Sequence, residues 1–196
     1  MNGRPASCGL RLALVGMPGC GKSTVSRQLA RHLGCEHVDT DTELEARFGM
    51  PVRSFFELHG EEAFREAEQA VVEEVTRRGE GVIATGGGVV LRSANREVLH
   101  ARAQVVYLRA SPEELHRRLR HDTRRPLLQV ADPLGRLREL FRERDPLYRR
   151  TAHYVIEAAR PTLPALVSMI LMQLEVAGLL DPTRVPATIG RDRSPG

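Results

Sequence analysis

Two kinds of apolar pattern alternate along the chain, and they predict two kinds of secondary structure. Short, mostly continuous apolar runs that end at Gly or Asp are typical of buried parallel strands. Five such runs are present, at residues 10–15, 37–39, 81–85, 104–108 and 154–156. We predict that they form the strands of one sheet.

The segments between these runs carry helical signals. Apolar residues at spacings of three and four predict amphipathic helices at 22–33 and 63–75, and a closing helix at about 161–177. Helix starts are predicted by a capping box at 40–43, by Ser111-Pro112 and by Asp132-Pro133. Alternating strands and helices predict an α/β fold of three layers, α/β/α, around a five-stranded parallel sheet. Ligands in such a fold bind at the carboxyl ends of the strands.

Length and composition narrow the class of protein. The 196 residues suit one domain, with a core at about 10–177 and a tail from about 181 that we expect to be disordered. The net charge of +4, set against 25 acidic residues, fits an anionic small ligand better than nucleic acid, although the charge alone favours an ordinary solvated surface. The sequence has no signal peptide and no long apolar run, so we expect a soluble, cytoplasmic protein that does not engage a membrane. We also expect a monomer. Three cysteines without metal-type spacing predict no disulfide.

The first strand leads into a phosphate-binding motif. Residues 16–23, GMPGCGKS, match G-x-x-x-x-G-K-[ST] between a predicted strand and a predicted helix. In that motif the lysine, here Lys22, reaches the β- and γ-phosphates, and the serine, here Ser23, binds Mg²⁺. The alternative is a glycine turn with a solvated lysine. Lys22 is the only lysine among 29 cationic residues, which favours a site that arginine does not fill.

Two aspartates end the second predicted strand. Asp39 and Asp41 are two residues apart, so in extended backbone their carboxylates point the same way. One interpretation directs one of them toward the Mg²⁺ hydration shell and the other toward an acceptor hydroxyl. The other interpretation is helix capping, which needs no ligand.

Arginines and glycines add further candidates. Arg65 borders an apolar helix face and either covers that face or binds a substrate anion in bidentate fashion. Residues 86–88 are three glycines after a strand, which indicates either a plain loop or a close approach of backbone to ligand. Residues 117–125 are rich in Arg and indicate a closing lid, an RNA-facing patch or a solvated loop; the lack of interleaved aromatics disfavours RNA.

Taken together, these motifs resemble the shikimate kinase family, P-loop kinases related in fold to the nucleoside monophosphate kinases. The resemblance runs from about residue 12 to about residue 174. The motifs stand in family order: GMPGCGKST, DTD at 39–41, GEEAFREAE around Arg65, TGGG at 85–88, RPLL at 125–128 and RDPLY at 144–148.

The resemblance implies that the chain uses ATP and Mg²⁺. It implies that the ATP phosphates are surrounded by Gly19, Cys20, Gly21, Lys22, Ser23 and Thr24. Ser23 would bind Mg²⁺, with Asp39 acting through metal-bound water. Arg125 would belong to a mobile lid at about 118–131 and contact ATP phosphates in the closed state, while Arg118 and Pro161 would flank adenine.

The resemblance also implies an acceptor site for shikimate. Asp41 would bind the ring hydroxyls and is the candidate base for the 3-hydroxyl. Arg65 and Arg144 would hold the carboxylate, and Gly87 and Gly88 would offer backbone contacts. Lys22, Asp41 and Arg125 are then the expected catalytic residues.

The predicted reaction is shikimate plus ATP to 3-phosphoshikimate plus ADP. One alternative is another P-loop small-molecule kinase, such as a gluconate kinase, whose non-acidic sugar acceptor would leave Arg65 and Arg144 without an anion. A second is a binding module that keeps the fold without turnover.

Overall fold

Five parallel strands form the centre of the molecule. The computed structural model describes residues 9–119, 130–158 and 162–180. In chain order the strands are β1 Arg11–Val15, β2 His37–Asp39, β3 Gly81–Ala84, β4 Gln104–Arg109 and β5 Tyr154–Glu157. Their order across the sheet is β2-β3-β1-β4-β5, and every neighbouring pair is parallel. The α/β class and the five predicted strands are confirmed.

In the part of the chain that the structure describes, seven α-helices connect and cover the strands. They are α1 Lys22–Leu33, α2 Thr40–Phe48, α3 Val52–Val75, α4 Ser93–Arg102, α5 Pro112–Leu119, α6 Pro133–Thr151 and α7 Leu163–Val176. Helix α1 packs against α7, and α4 packs against α3 and α6, which gives two helical layers around the sheet. Right-handed crossovers between parallel strands account for this separation. Among the described residues, no helix combines the length and apolar character needed to cross a membrane.

Aliphatic side chains fill the core, as expected for a chain without Trp. The central strands β1 and β4 are buried along almost their whole length. Burial of each large aliphatic side chain stabilises the fold by about 1.5–3 kcal/mol. The result is a rigid sheet whose carboxyl edge carries the loops between 16 and 21, between 85 and 88, and around Asp39.

Three local features differ from the sequence predictions. Helix α3 begins at Val52, well before 63, and contains a break at Gly60, where φ is 81°. Helix α4 was not predicted, because few of its residues are apolar. The predicted capping box at 40–43 is wrong. Asp39 is the N-cap of α2 and accepts the Asp41 N–H at 3.0 Å, while the Thr40 hydroxyl accepts the Gly86 N–H at 3.0 Å.

Other predicted helix starts are confirmed by side-chain caps. Ser111 accepts the Glu114 N–H, and Asp132 accepts the Gly135 N–H. The closing helix α7 is capped by Thr162. Most of the predicted lid (residues 120–129, with Arg125), Pro161 and the tail at 181–196 lie outside the described residues.

Candidate active site

The loop from residue 16 to residue 21 joins β1 to α1 at the carboxyl edge of the sheet. Gly21 is the N-cap of α1 with φ 98°, a left-handed conformation that glycine adopts without steric cost. Neither this loop nor the first turn of α1 carries an acidic side chain. The amide N–H groups and the helix dipole therefore favour an anion here.

Lys22 lies inside this loop rather than in solvent. Its side chain is buried, and the Nζ atom donates to the carbonyl oxygens of Gly16 at 2.7 Å and Met17 at 3.1 Å. The Cys20 Sγ atom is 3.9 Å from the same nitrogen. The ammonium group is thus held at the place where the motif brings phosphates.

Oxygen donors suited to Mg²⁺ lie near the loop. Ser23 and Thr24 are exposed on the first turn of α1, and α1 contacts β2, which ends at Asp39. One Asp39 oxygen accepts the Asp41 N–H, which leaves the other oxygen for a metal-bound water. Mg²⁺ usually takes one or two protein oxygens together with phosphate oxygens and waters, so this donor set fits a metal that arrives with a nucleotide. Within the described ranges, no three His, Cys, Asp or Glu side chains form a metal cluster of their own.

The three glycines at 86–88 bring the loops of the site into contact. A Cβ placed on Gly87 would lie 2.7 Å from the Pro18 side chain, so β3's loop touches the phosphate loop directly. A Cβ on Gly19 would lie 2.6 Å from Leu119, at the end of α5. The nearby Arg118 is bound to Glu114 and to the carbonyl oxygen of Ala158. Any side chain at residue 87 would push the glycine loop away from the phosphate loop.

Asp41 lies on the other side of the triple glycine. Its Oδ1 atom is 2.9 Å from the position of a Cβ on Gly86. The side chain of Asp41 reaches solvent, yet the protein atoms packed around its carboxylate reduce the solvation of that group. This burial, followed by repulsion from Asp39, raises the pKa of Asp41 to about 6, although Lys22 opposes the shift. A carboxylate with such a pKa accepts protons better than an ordinary aspartate.

Arg65 is fixed on α3 by carboxylates. Its Nη1 atom donates to Glu68 at 2.7 Å, and its Nε and Nη2 atoms are 3.4 Å from Glu61. Glu68 is buried, and burial raises the pKa of its carboxyl even though Arg65 lowers it. A Cβ on Gly88 would clash with the Nη1 and Nη2 atoms of Arg65, so the edge of the guanidinium lies directly against the glycine loop.

Arg144 and Tyr148 approach the same loop from α6. Arg144 Nη1 donates to the Gly87 carbonyl oxygen at 3.3 Å, and the Tyr148 hydroxyl donates to the same oxygen at 2.5 Å. Both side chains are buried, and the Arg144 Nε has no hydrogen-bond partner among the described residues. A buried guanidinium with a free N–H group is suited to bind an anion.

The structure therefore brings together most of the predicted site residues. One edge of the sheet carries eight of them: Lys22, Ser23, Asp39, Asp41, Arg65, Gly87, Gly88 and Arg144. Sequence reasoning did not identify Glu68 or Tyr148. Glu68 stands three residues after Arg65, a spacing that also suits a surface ion pair, and Tyr148 has the pattern of a core residue.

Comparisons with known proteins agree on one family. The sequence model described as "Shikimate kinase" matches residues 18–175. A shikimate kinase of Paracidovorax citrulli is 54% identical, covering 89% of this chain and 97% of that protein. One of Ralstonia nicotianae is 52% identical, covering 86% and 88%.

Solved structures give the same result. A shikimate kinase from Acinetobacter baumannii in complex with shikimate superposes with a TM-score of 0.82 at 44% identity, covering 88% of this chain and 96% of that one. A gluconokinase from Sinorhizobium meliloti, with a TM-score of 0.51 and 18% identity over 87% and 98%, shares the fold only. The chain belongs to the shikimate kinase family, the ATP-dependent kinases that phosphorylate a hydroxyl group of shikimate.

Proposed function

We propose that the edge of the sheet described above transfers the γ-phosphate of ATP to the 3-hydroxyl of shikimate, with Asp41 as the base. The observation that carries this assignment is the grouping around residues 86–88. A carboxylate of raised pKa and two buried or half-buried arginines border the glycine loop that touches the phosphate loop. This grouping supports an acceptor that binds between the base and the phosphates.

The phosphate side of the site neutralises charge. Lys22 leaves the carbonyl oxygens of Gly16 and Met17 and binds the β- and γ-phosphates, while the loop amides bind the remaining oxygens. Ser23 and Asp39 would hold Mg²⁺. When bound, the ion neutralises charge on the phosphate oxygens. Phosphoryl transfer depends mainly on such positioning and charge stabilisation.

The acceptor side of the site orients shikimate. Arg65 and Arg144 bind its carboxylate from α3 and α6, and the Gly87 and Gly88 amides add backbone donors. Within the described residues, neither of these amides donates a hydrogen bond to the protein. Asp41 then accepts the proton of the hydroxyl that attacks the γ-phosphorus. The family resemblance adds Arg125, Arg118 and Pro161 on the nucleotide side.

ADP release by the purified protein tests this proposal. With Mg²⁺ and ATP present, release should depend on shikimate and not on gluconate. Asp41→Asn should reduce kcat by about 100-fold, as expected for loss of a general base, while ATP binding persists. Arg65→Ala should mainly raise the KM for shikimate. Unchanged turnover in both variants would show that the residue roles are wrong.

We also propose that the enzyme acts as a monomer in the cytoplasm. The residues assigned above come from a single chain, and the reaction requires a supply of ATP. Size-exclusion chromatography with light scattering tests the first point, because a stable dimer would appear at twice 21.8 kDa. Fractionation of cells tests the second.

A further inference from the structure

The hydroxyl of Tyr148 makes a contact that packing alone does not require. Tyr148 is fully buried in α6, and its hydroxyl donates to the carbonyl oxygen of Gly87, 61 residues away in the chain. Burial raises the pKa of this phenol, so it stays protonated and able to donate. Its partner belongs to the glycine loop to which the acceptor site is assigned.

This contact determines the direction of one peptide group. The chain has no cis peptide bond among the described residues, so the Gly87 C=O and the Gly88 N–H point in opposite directions. Tyr148 and Arg144 both bind the carbonyl oxygen from the side of α6. The Gly88 N–H therefore points away from α6. The guanidinium of Arg65 lies beside the same glycine, where a Cβ would meet it.

From this arrangement we propose that Tyr148 is a positioning residue for the acceptor's carboxylate. Its hydroxyl fixes the Gly87–Gly88 peptide so that the Gly88 N–H donates to the carboxylate beside Arg65. Tyr148 itself does not touch the substrate. A glycine pair has little intrinsic preference for one peptide orientation, so an external hydrogen bond is needed to hold it. This inference rests on the proposed carboxylate site.

A second tyrosine provides a matched control. Tyr107 on β4 is also fully buried, and its ring stacks on that of Tyr148 at a centroid distance of 4.8 Å. Its hydroxyl, however, donates to Asp145 at 2.9 Å and does not contact the glycine loop. Tyr148→Phe and Tyr107→Phe thus each remove one buried hydroxyl from the same aromatic pair, and only the first loses the contact with Gly87.

The experiment compares steady-state kinetics of both variants with the unchanged enzyme. Tyr148→Phe should raise the KM for shikimate about five- to tenfold, the size expected for loss of one hydrogen bond, with the KM for ATP within about twofold. Tyr107→Phe should leave both KM values within about twofold. An unchanged KM for shikimate in Tyr148→Phe, or an equal rise in both variants, would overturn the proposal.

The carboxylate itself gives a further discrimination. The methyl ester of shikimate has no carboxylate charge. With this acceptor, Tyr148→Phe should therefore raise the KM less than it does with shikimate. An equal rise in KM for both acceptors would mean that Tyr148 does not act through the carboxylate.

Arg144→Ala tests the carboxylate site separately from the positioning role of Tyr148. If Arg144→Ala raises the KM for shikimate and Tyr148→Phe does not, the site stands and the positioning role fails. If neither does, both fail.

A measurement on the unchanged enzyme keeps the test independent of variant folding. With ¹⁵N-glycine labelling, saturation with shikimate should shift the Gly88 amide resonance downfield and slow its exchange with solvent. The Gly178 amide, at the end of α7, serves as the reference. A Gly88 amide that responds no more than Gly178 would overturn the proposal.

Discussion

Asp41 and Glu68 meet at Gly86. A Cβ at that position would lie 2.9 Å from Asp41 Oδ1 and 2.9 Å from Glu68 Oε1, so two carboxylates on different helices both approach Gly86 because it has no side chain. One of them is the proposed base, and the other orients Arg65. Gly86 therefore separates the two parts of the acceptor site, the part that accepts the proton and the part that binds the anion.

Gly86→Ala should damage catalysis more than stability. The backbone at 86 has no positive φ, and the atoms that the new Cβ meets are ends of side chains that are able to move. Asp41 and Glu68 would shift by a few tenths of an ångström or more, which displaces the base from the acceptor. We expect kcat to fall about tenfold or more, because small displacements of reacting groups carry large costs.

Gly88→Ala tests the anion-binding part of the acceptor site, as Gly86→Ala tests the base. Its Cβ would meet the guanidinium of Arg65 instead of Asp41, so we expect the KM for shikimate to rise more than kcat falls. Steady-state kinetics and thermal unfolding of both variants check the pair. The same kinetic pattern in both would contradict the separate roles of the two groups.

The raised pKa of Asp41 predicts the pH dependence of the reaction. Asp41 accepts a proton only when ionised, and burial together with Asp39 raises its pKa to about 6. The kcat/KM for shikimate should therefore fall as pH decreases through about 6 and reach a plateau above it. Asp39→Asn removes the second cause of the shift, so the midpoint should move to lower pH even if the plateau drops.

The matched control for this profile is Glu45→Gln. Glu45 is the weakest of the contributions that raise the pKa of Asp41, and a glutamine keeps an oxygen for the Val52 N–H. Its midpoint should stay close to that of the unchanged enzyme. A midpoint that is equally low in both variants, or a profile without a fall near pH 6, would rule out Asp41 as the group that titrates.

The sequence predicts the centre of the sheet well because β1, β3 and β4 are buried on both faces and are therefore nearly continuous apolar runs. The edge strands β2 and β5 are only partly buried. It predicts local caps poorly where their partners are distant. The hydroxyl of Thr40 accepts the N–H of Gly86, 46 residues away, and Asp39 is the N-cap of α2 instead. Helix α4 escapes prediction because few of its residues are apolar, and only Asn95 and Leu99 are fully buried. These outcomes depend on tertiary contacts that no local pattern contains.

The same reasoning applies to the site. Lys22 was identifiable because a motif and a unique residue type coincide at one position. Local sequence alone did not distinguish Arg144 from Arg142, and the family resemblance selected Arg144. In the structure Arg144 is buried against Gly87 and Arg142 is exposed. Glu68 and Tyr148 act through other residues, so nothing about their own neighbours in sequence signals a role.

Lys22→Arg should abolish most of the activity. The compact ammonium is able to move from the carbonyl oxygens of Gly16 and Met17 to the phosphates, and a wide planar guanidinium is a poor substitute for it in this tight loop. We expect kcat/KM for ATP to fall about 100-fold, comparable to loss of a key electrostatic donor. Arg27→Lys, at an exposed position on the same helix, is the control and should change neither kinetics nor unfolding temperature. Activity retained in Lys22→Arg would show that a compact ammonium is not required.

His153 should make the stability of the fold depend on pH. Its Nδ1 atom accepts the Val105 N–H at 3.0 Å, and its ring stacks on His100 at 4.2 Å, so protonation removes an acceptor and adds a charge beside another histidine. Burial, and then His100, lower the pKa of His153 in the folded chain. The unfolded chain therefore takes up the proton at higher pH, and the free energy of unfolding should decrease as pH falls below about 6.5. In His153→Asn the amide oxygen still accepts the Val105 N–H but does not titrate. Urea unfolding between pH 7.5 and pH 5 should then show a shallower loss of stability in the variant, and an equal slope in both proteins would exclude His153 as its source.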